Sequence, residues 1–197
     1  MHSYFRRYSD RNKIAVDLGA NVGAHTMVLQ TLFAEVHSFE MQAPVFELLR
    51  RNVRANHAQS RVRLHNVALG RAEGGTGHYC DSTGSARNIG GVSARLSTRV
   101  PHRKGCYKLR FTTLDRALSR VNGSIALMKV DVEGFEENVL LGARSILARH
   151  RPILMFESFH LPINLTNMLE SLRYDTRLAR YPEDYIAIPR PLTRVSP

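Results

Sequence analysis

The chain has 197 residues, 43% of them hydrophobic, which is enough for one domain with a substantial core. No apolar run approaches the roughly 20 residues of a membrane span, and the polar N-terminal segment lacks the apolar stretch of a secretory signal. The formal net charge is +11. Such a field favours polyanions or acidic partners, although a solvated basic face would explain it as simply.

The cysteine content is low, with Cys80 and Cys106 as the two residues of this type. Two cysteines give neither a disulfide framework nor a cluster of metal ligands. We therefore expect free thiols and a cytoplasmic location, because thiols stay reduced in the cytosol.

A short β-branched run followed by a glycine turn is the first clear element. Ile14–Leu18 predicts a buried strand, and a helix is expected from Ala24 onward. The apolar face of this helix is formed by Met27, Val28 and Leu32. The turn between strand and helix contains Gly19, Asn21 and Gly23. This pattern predicts the first unit of a doubly wound α/β sheet, whose ligands lie where the turn meets the helix.

The spacing in this turn is G-x-x-x-G, and Asp17 lies inside the strand before it. A dinucleotide site would need G-x-G-x-x-G, and a phosphate loop would need a terminal Gly-Lys-Ser/Thr. Neither is present. A carboxylate here is a poor neighbour for a phosphate and a good one for an ammonium or a hydroxyl group.

The second predicted strand, Glu35–Phe39, ends at Glu40, which lies 21 positions after Gly19. A carboxylate in this position suits the ribose diol of a nucleoside, because it can accept both hydroxyl protons. A helix is expected to begin at Pro44 and to end near Asn56.

The third predicted strand, Val62–Val67, ends where an α/β protein would line an adenine pocket. Asn66 could bond a base edge while Val67 and Ala68 pack on its face. A simple strand end explains these residues equally well. The glycine-rich segment that follows, about 70–110, predicts loops and a hairpin inserted into a single domain of residues 1–197.

The remaining elements complete a predicted sheet of about seven mostly parallel strands with helices on both faces. The expected strands are Ile125–Val132, Pro152–Phe156, one starting at Tyr174, and Tyr185–Ile188. The expected helices are a short one from Thr113 to Leu118, then Glu136–Ala148 and Leu165–Leu172.

The sequence K-V-D-V-E-G-F-E at Lys129–Glu136 places several charged side chains at a strand end. Parallel strands present their C-terminal ends at one edge, so this block should lie beside the Gly19 turn. Its carboxylates would favour a bound cation and could accept a proton. Acids at a helix N-terminus are also explained by the helix dipole, which accounts for Glu136 and Glu137 but poorly for Asp131.

These blocks together resemble a known family. D-L-G-A-N-x-G resembles motif I of the S-adenosylmethionine-dependent methyltransferases, and GANVGAHT resembles the FkbM family in particular. The block Lys129–Glu136 and the segment Pro152 to Glu157 are similar to later signatures of that family, so the resemblance spans Ile14 to Pro189. The chain departs from the pattern at Phe135, where the family often has His, and in the basic segment Gly70–Arg110.

The resemblance implies S-adenosylmethionine as cofactor. We expect no metal, because the sequence has no His/Cys cluster with ligand spacing and the acids at 131–137 can be explained without a cation. The implied cofactor contacts are Asp17, Gly19, Asn21 and Gly23 for the methionine part, Glu40 for the ribose, Asn66, Val67 and Ala68 for the adenine, and Asp131. The implied base is Asp131 or Glu133, with Glu157 and His160 as second choices. The expected acceptor is a hydroxyl group of a sugar or a natural product.

Two rival functions follow from the charge. A nucleic-acid methyltransferase is disfavoured, because Asp131-Val132-Glu133-Gly134 lacks the Asp/Asn-Pro-Pro-aromatic motif of amine methylases and Glu157 stands where ribose methylases commonly have Lys. A non-catalytic module could bind an acidic partner through its arginines.

Overall fold

The computed structural model of the protein describes residues 2–80, 95–96, 105–158, 161–180 and 184–191. The helices are α1 (His2–Arg7), α2 (Ala24–Leu32), α3 (Ala43–Ala55), α4 (Leu114–Ala117), α5 (Glu136–Leu141), α6 (Arg144–His150) and α7 (Ile163–Ser171). In this part of the chain, no helix is long and apolar enough to cross a membrane.

The strands form two sheets. The larger contains β1 (Asp10–Leu18), β2 (Phe33–Phe39), β3 (Val62–His65), β8 (Ile125–Val130), β9 (Ile153–Glu157), β10 (Tyr174–Arg180) and β11 (Asp184–Pro189). The smaller contains β4 (Ala68–Leu69), β5 (Thr76–Cys80), β6 (Arg95–Leu96) and β7 (Cys106–Thr112).

The larger sheet has the order β10-β11-β9-β8-β1-β2-β3. All neighbouring strands are parallel except β11, which runs antiparallel to β9 and β10. The chain reverses its winding between β1 and β8, so their C-terminal ends meet at the switch point where ligands bind in open α/β sheets. The predicted doubly wound, mostly parallel sheet is confirmed.

The core follows the predicted patterns with small shifts. Residues Ile14–Leu18 of β1 are all buried. In α2, however, the buried positions are Thr26 and Leu29, and the predicted apolar face is only partly covered. In α3, Val45, Leu49 and Val53 are buried and Phe46 is partly buried, whereas Leu48 is 38% exposed.

Several predicted boundaries are wrong. The first strand begins at Asp10 rather than Ile14, and the third ends at His65 rather than Val67. The fourth core strand ends at Val130 rather than Val132, so Asp131 lies in the following turn. The helix expected over Glu136–Ala148 is two helices, α5 and α6, separated at Gly142. A Cβ at Gly142 would collide with the carbonyl oxygen of Gly70. The carboxylate of Asp115 accepts hydrogen bonds from the main-chain N–H groups of Ser145 (2.9 Å) and Ile146 (2.8 Å) in the first turn of α6, so a new helix begins there.

The prediction of free thiols is also wrong, because Cys80 and Cys106 form a disulfide. The two residues lie opposite each other where β5 pairs antiparallel with β7. This pairing brings together side chains that are 26 positions apart in the sequence. The expected hairpin in the insertion corresponds to β5 and β7. Residues 81–94 and 97–104, which belong to the basic segment Gly70–Arg110, lie outside the described residues, as does His160.

Candidate functional site

A cavity of about 200 Å³ opens at the C-terminal edge of the larger sheet, between the turn after β1 and the turn after β8. Its wall is formed by Gly19, Ala20, Asn21, Val22, Ala24, His25, Phe39, Glu40, Met41, Gln42, Val67, Leu69, Lys129, Asp131, Val132, Glu133, Phe135 and Val139. The sheet topology therefore places one cavity at the position where both sequence motifs end.

The first turn is fixed by Glu40 at the end of β2. One carboxylate oxygen accepts a hydrogen bond from the main-chain N–H of Asn21 (3.0 Å), and the other accepts one from the N–H of Gln42 (2.9 Å). Glu40 is 6% exposed, and this burial raises the pKa of its carboxyl group. Each oxygen keeps further acceptor capacity, so Glu40 can hold the turn and still accept from a ligand.

A polar network lies behind this turn. Asp17 is fully buried and accepts a hydrogen bond from Thr26 Oγ1 (2.6 Å), which also lies 2.9 Å from Ser38 Oγ. The other carboxylate oxygen of Asp17 is 3.3 Å from Lys129 Nζ. That contact is an ion pair without hydrogen-bond geometry. Asp17 thus acts on the cavity through its neighbours.

Lys129 connects the two turns. Its ammonium group is 1% exposed, donates to the carbonyl of Gly19 (2.8 Å) and lies 3.4 Å from Asp131 Oδ2. Burial alone would lower the pKa of Lys129, but the charges of Asp17 and Asp131 raise it above its usual value. The two carboxylates therefore favour the protonated, cationic form of Lys129 at the cavity wall.

The second turn carries the candidate bases. The Asp131 side chain is 28% exposed, and Glu133 is exposed with a left-handed main chain (φ +56°). Glu136 folds back and accepts from the N–H groups of Val132 (2.9 Å) and Gly134 (3.2 Å). Partial burial, followed by the charge of Asp131, raises the pKa of Glu133. Glu136 thus braces the turn, and Asp131 and Glu133 border the cavity.

The structure brings most of the sequence-predicted residues together. Those on the cavity wall are Gly19, Asn21, Glu40, Val67, Asp131 and Glu133. Those placed off the wall are Asp17, Gly23, Asn66, Ala68 and Glu157. The amide of Asn66 donates to the carbonyls of Glu40 (2.8 Å) and Met41 (3.3 Å), so it orders the strand ends.

Among the wall residues that the sequence does not assign to the site, three are distinguished by their side chains. Lys129 was seen only as one member of a charged block, although a lysine inside an otherwise apolar strand is itself a signal. His25 follows the first turn directly and packs edge-on to Phe5 (5.6 Å between ring centroids). Phe135 stacks on Phe111 of β7 (5.5 Å), which links the cavity to the smaller sheet.

Among the residues that the structure describes, no group of three or more His, Cys, Asp or Glu side chains is arranged to hold a metal ion. The carboxylates of the second turn have other partners: Lys129 for Asp131 and main-chain N–H groups for Glu136.

Comparison with family models gives a match to the methyltransferase FkbM domain over residues 17–178. The chain belongs to this family. The resemblance deduced from the two motifs is confirmed, together with the methyltransferase assignment and the S-adenosylmethionine cofactor that it implied. No curated protein sequence matches the chain significantly.

Solved structures share the fold at low identity. The FkbM methyltransferase from Methylobacillus flagellatus KT has a TM-score of 0.60 and 15% identity, over 95% of this chain and 50% of that one. A precorrin-6y C5,15-methyltransferase from Geobacter metallireducens GS-15 has a TM-score of 0.56 and 11% identity, over 96% and 86%. A Streptococcus mutans protein crystallised with SAH has a TM-score of 0.55 and 13% identity, over 94% and 93%. The chain therefore spans half the length of the solved FkbM protein.

Proposed function

We propose that this FkbM-family protein transfers the methyl group of S-adenosylmethionine to a hydroxyl group of a sugar or a natural product. The observation that supports the proposal is the pair of carboxylates, Asp131 and Glu133, on the wall of the cavity. Because they lie beside the first turn, the proposed cofactor site and a proton acceptor would share the same cavity. A glycan or a small molecule is the corresponding partner.

The charges of the cavity suit this cofactor. Three carboxylates border it, those of Glu40, Asp131 and Glu133, against the single ammonium of Lys129 among the described wall residues. S-adenosylmethionine carries a sulfonium and an ammonium against one carboxylate, so a cavity with excess negative charge complements it. The charged residues of the cavity wall therefore fit S-adenosylmethionine.

Each part of the cofactor has a matching segment of wall. Glu40 would accept hydrogen bonds from the ribose hydroxyls, and Val67 would contact the adenine. Asn66 and Ala68 would order the strand end behind Val67. The turn at Gly19 and Asn21 would hold the methionine part. Asp17 and Gly23 would support that turn from behind.

The bound cofactor supplies an activated methyl group, so the protein has to position the acceptor and remove its proton. The hydroxyl proton would pass to the carboxylate of Glu133 or Asp131. Partial burial raises the pKa of Glu133, which makes it a stronger base than an ordinary glutamate. Glu157 lies one strand away and His160 lies outside the described residues, so both stay second choices.

The experiment is a screen with methyl-labelled S-adenosylmethionine against pools of glycans, hydroxylated small molecules and RNA. We expect label in a hydroxyl-bearing glycan or small molecule. A double variant, Asp131→Asn with Glu133→Gln, serves as the blank for non-enzymatic transfer. Tight cofactor binding with no label in any pool would favour a non-catalytic module instead.

Methylation of a nucleic acid is the second candidate, because a basic cleft of about 430 Å³ lies between α3 and β3. Its wall includes Arg50, Arg54 and Arg63. Arg50 is bonded to Glu47 (2.7 Å) and Arg63 to Glu35 (3.0 Å), however, which offsets two of these charges. Label in the RNA pool, decreasing steeply with added salt, would establish this candidate.

The predicted single domain of residues 1–197 is kept as part of the proposal. A cytoplasmic location is kept only as a prediction, and the disulfide between Cys80 and Cys106 counts against it, because disulfides persist mainly in oxidising compartments. Fractionation of cells that express the untagged protein tests the location.

A further inference from the structure

Lys129 is the buried cation of the site, and its contacts point toward the cavity. It lies in β8 between Met128 and Val130, both fully buried, and it is 1% exposed. An ion pair with Asp17 alone would explain a lysine in the core. The ammonium also donates to the carbonyl of Gly19 and lies 3.4 Å from Asp131 Oδ2, and both residues border the cavity.

The position of Lys129 relative to Asp17 decides how the pair acts on a ligand. Lys129 belongs to the cavity wall, whereas Asp17 lies behind it. A ligand in the cavity therefore faces the positive member of the pair, and the negative member is farther away. Coulomb energy falls with distance, so the pair, although neutral overall, presents its positive end at this point of an otherwise acidic wall.

We propose that Lys129 is a specificity-determining residue, whose ammonium opposes the sulfonium of S-adenosylmethionine and sets the ratio of the affinities for S-adenosylmethionine and S-adenosylhomocysteine. The inference rests on the proposed function, because it takes the cofactor to occupy this cavity. The carboxylates of the wall attract the sulfonium, and Lys129 limits that attraction.

This arrangement has a consequence for methyl transfer. The bond from sulfur to the methyl carbon breaks and its electron pair stays on sulfur, while the acceptor oxygen forms the new bond and its proton goes to a wall carboxylate. The positive charge on sulfur is lost in this step. A fixed cation nearby therefore raises the energy of the charged reactant more than that of the transition state, which favours transfer.

The test is calorimetric titration of S-adenosylmethionine and S-adenosylhomocysteine into the wild-type protein and into Lys129→Gln. The glutamine side chain is one bond shorter, keeps an N–H donor and carries no charge. At an effective dielectric constant of about 20, removing a unit charge about 12 Å from a cationic ligand changes its affinity by roughly tenfold, and removing a closer charge changes it by more. We expect the ratio of affinities to move toward S-adenosylmethionine by about tenfold or more.

Two controls separate charge from damage to the fold. Thr26→Val removes the other contact of Asp17 without changing any charge, and it should destabilise the protein with an unchanged ratio. Asp131→Asn removes a negative charge from the wall and should move the ratio toward S-adenosylhomocysteine. If Lys129→Gln does not fold, the double variant Asp17→Asn/Lys129→Gln removes the pair together. The ratio should still move toward S-adenosylmethionine, because Lys129 is the member on the wall.

These measurements distinguish failure of the Lys129 inference from failure of the proposed function. If the wild-type protein binds both compounds and the ratio in the Lys129 variants stays within twofold of wild type, this inference is refuted and the proposed function stands. An equal shift in Thr26→Val would also refute it. A wild-type protein that binds neither compound would refute the proposed function and this inference together.

Discussion

The Cα of Gly19 lies against the main-chain carbonyl of Asp131, so closely that a Cβ at Gly19 would collide with that oxygen. The main-chain N–H of Asp131 also donates to the carbonyl of Leu18 (3.1 Å). The two turns that border the cavity are therefore packed main chain to main chain. Only glycine permits this approach.

Gly19→Ala should consequently separate the turns. We expect a loss of roughly 2–4 kcal/mol in the free energy of unfolding, from overpacking together with a left-handed main chain at φ +72°. Affinity for S-adenosylhomocysteine should also fall. Gly134→Ala is the matched control, since Gly134 has φ +84° with no atom within 4 Å of its Cβ position. It should lose only about 1 kcal/mol. Equal losses in the two variants by urea unfolding would contradict the packing argument.

Glu40→Ala should weaken the binding of S-adenosylhomocysteine by roughly 1–3 kcal/mol, the scale for losing a charged hydrogen-bond partner. The variant removes the acceptor proposed for the ribose and also releases the N–H of Asn21. Calorimetry measures the effect. The control is Glu47→Ala on α3, whose carboxylate is bonded to Arg50 and Arg51 outside the cavity. Unchanged affinity in a folded Glu40→Ala protein would remove Glu40 from the ribose role.

The disulfide between Cys80 and Cys106 should contribute about 2–4 kcal/mol to stability, because it closes a loop of intermediate length in the unfolded chain. Urea unfolding with and without reductant measures this difference. The double variant Cys80→Ser/Cys106→Ser should match the reduced wild-type protein and show no further response to reductant. Two free thiols in the unreduced, denatured protein would contradict the pairing.

The sequence predicted those features of the site that depend on local pattern. The apolar run Ile14–Leu18 and the glycines after it predicted the first turn, and the acid at Glu40 was found from its position at a strand end. These residues are encoded by their immediate neighbours. The common edge of parallel strands then placed the two motifs together without any coordinates.

Features that depend on distant contacts were not predictable in this way. Gly142 interrupts the helix because Gly70 packs against it and Asp115 caps the next helix, and both lie about 30 or more positions earlier. The pairing of Cys80 with Cys106 required the register of β5 and β7. The sequence allowed Asn66 to bond the edge of the adenine base. In the structure, however, its amide donates to two main-chain carbonyls.

The stability of the protein should decrease as the pH falls from about 6.5 toward 4, partly because of His65. This ring stacks on Phe39 (4.2 Å) and lies 3.0 Å from His37 Nδ1. Burial, and then the neighbouring His37, lower the pKa of His65 to about 4. Below pH 6.5 the unfolded chain takes up a proton that the folded chain does not, so unfolding becomes more favourable.

His65→Phe keeps the stacking and removes this titration. Since His65 is only half-buried, we expect it to account for about 1 kcal/mol of the decrease in the free energy of unfolding between pH 7.5 and 5. Urea unfolding at both pH values should show a smaller decrease for His65→Phe than for the wild-type protein. His57→Asn, at an exposed histidine after α3, should keep the full decrease. Identical pH dependence in His65→Phe would exclude the role of His65.

The final prediction concerns Asp131 and Glu133 and needs the acceptor found by the labelling screen. If one of them is the base, its neutral isostere should leave folding and most of the cofactor affinity intact and slow single-turnover transfer by about 10²–10⁴, the usual contribution of a positioned base. Asp131→Asn and Glu133→Gln are measured at saturating cofactor, with folding checked by circular dichroism. If Glu133 is the base, the acid limb of the wild-type rate profile should follow its raised pKa.

Glu137→Gln is the matched control, because Glu137 lies in the same acidic run but is bonded to Asn164 (3.1 Å) away from the cavity. It should transfer at the wild-type rate. If Asp131 only contacts the cofactor, Asp131→Asn should weaken cofactor binding more than it slows transfer. If both acids only favour the start of α5, neither substitution should change transfer, and each should cost about 1 kcal/mol or less in stability. Wild-type rates in both variants would therefore exclude them as bases and direct attention to Glu157, at the level of Asp131 on the neighbouring strand β9.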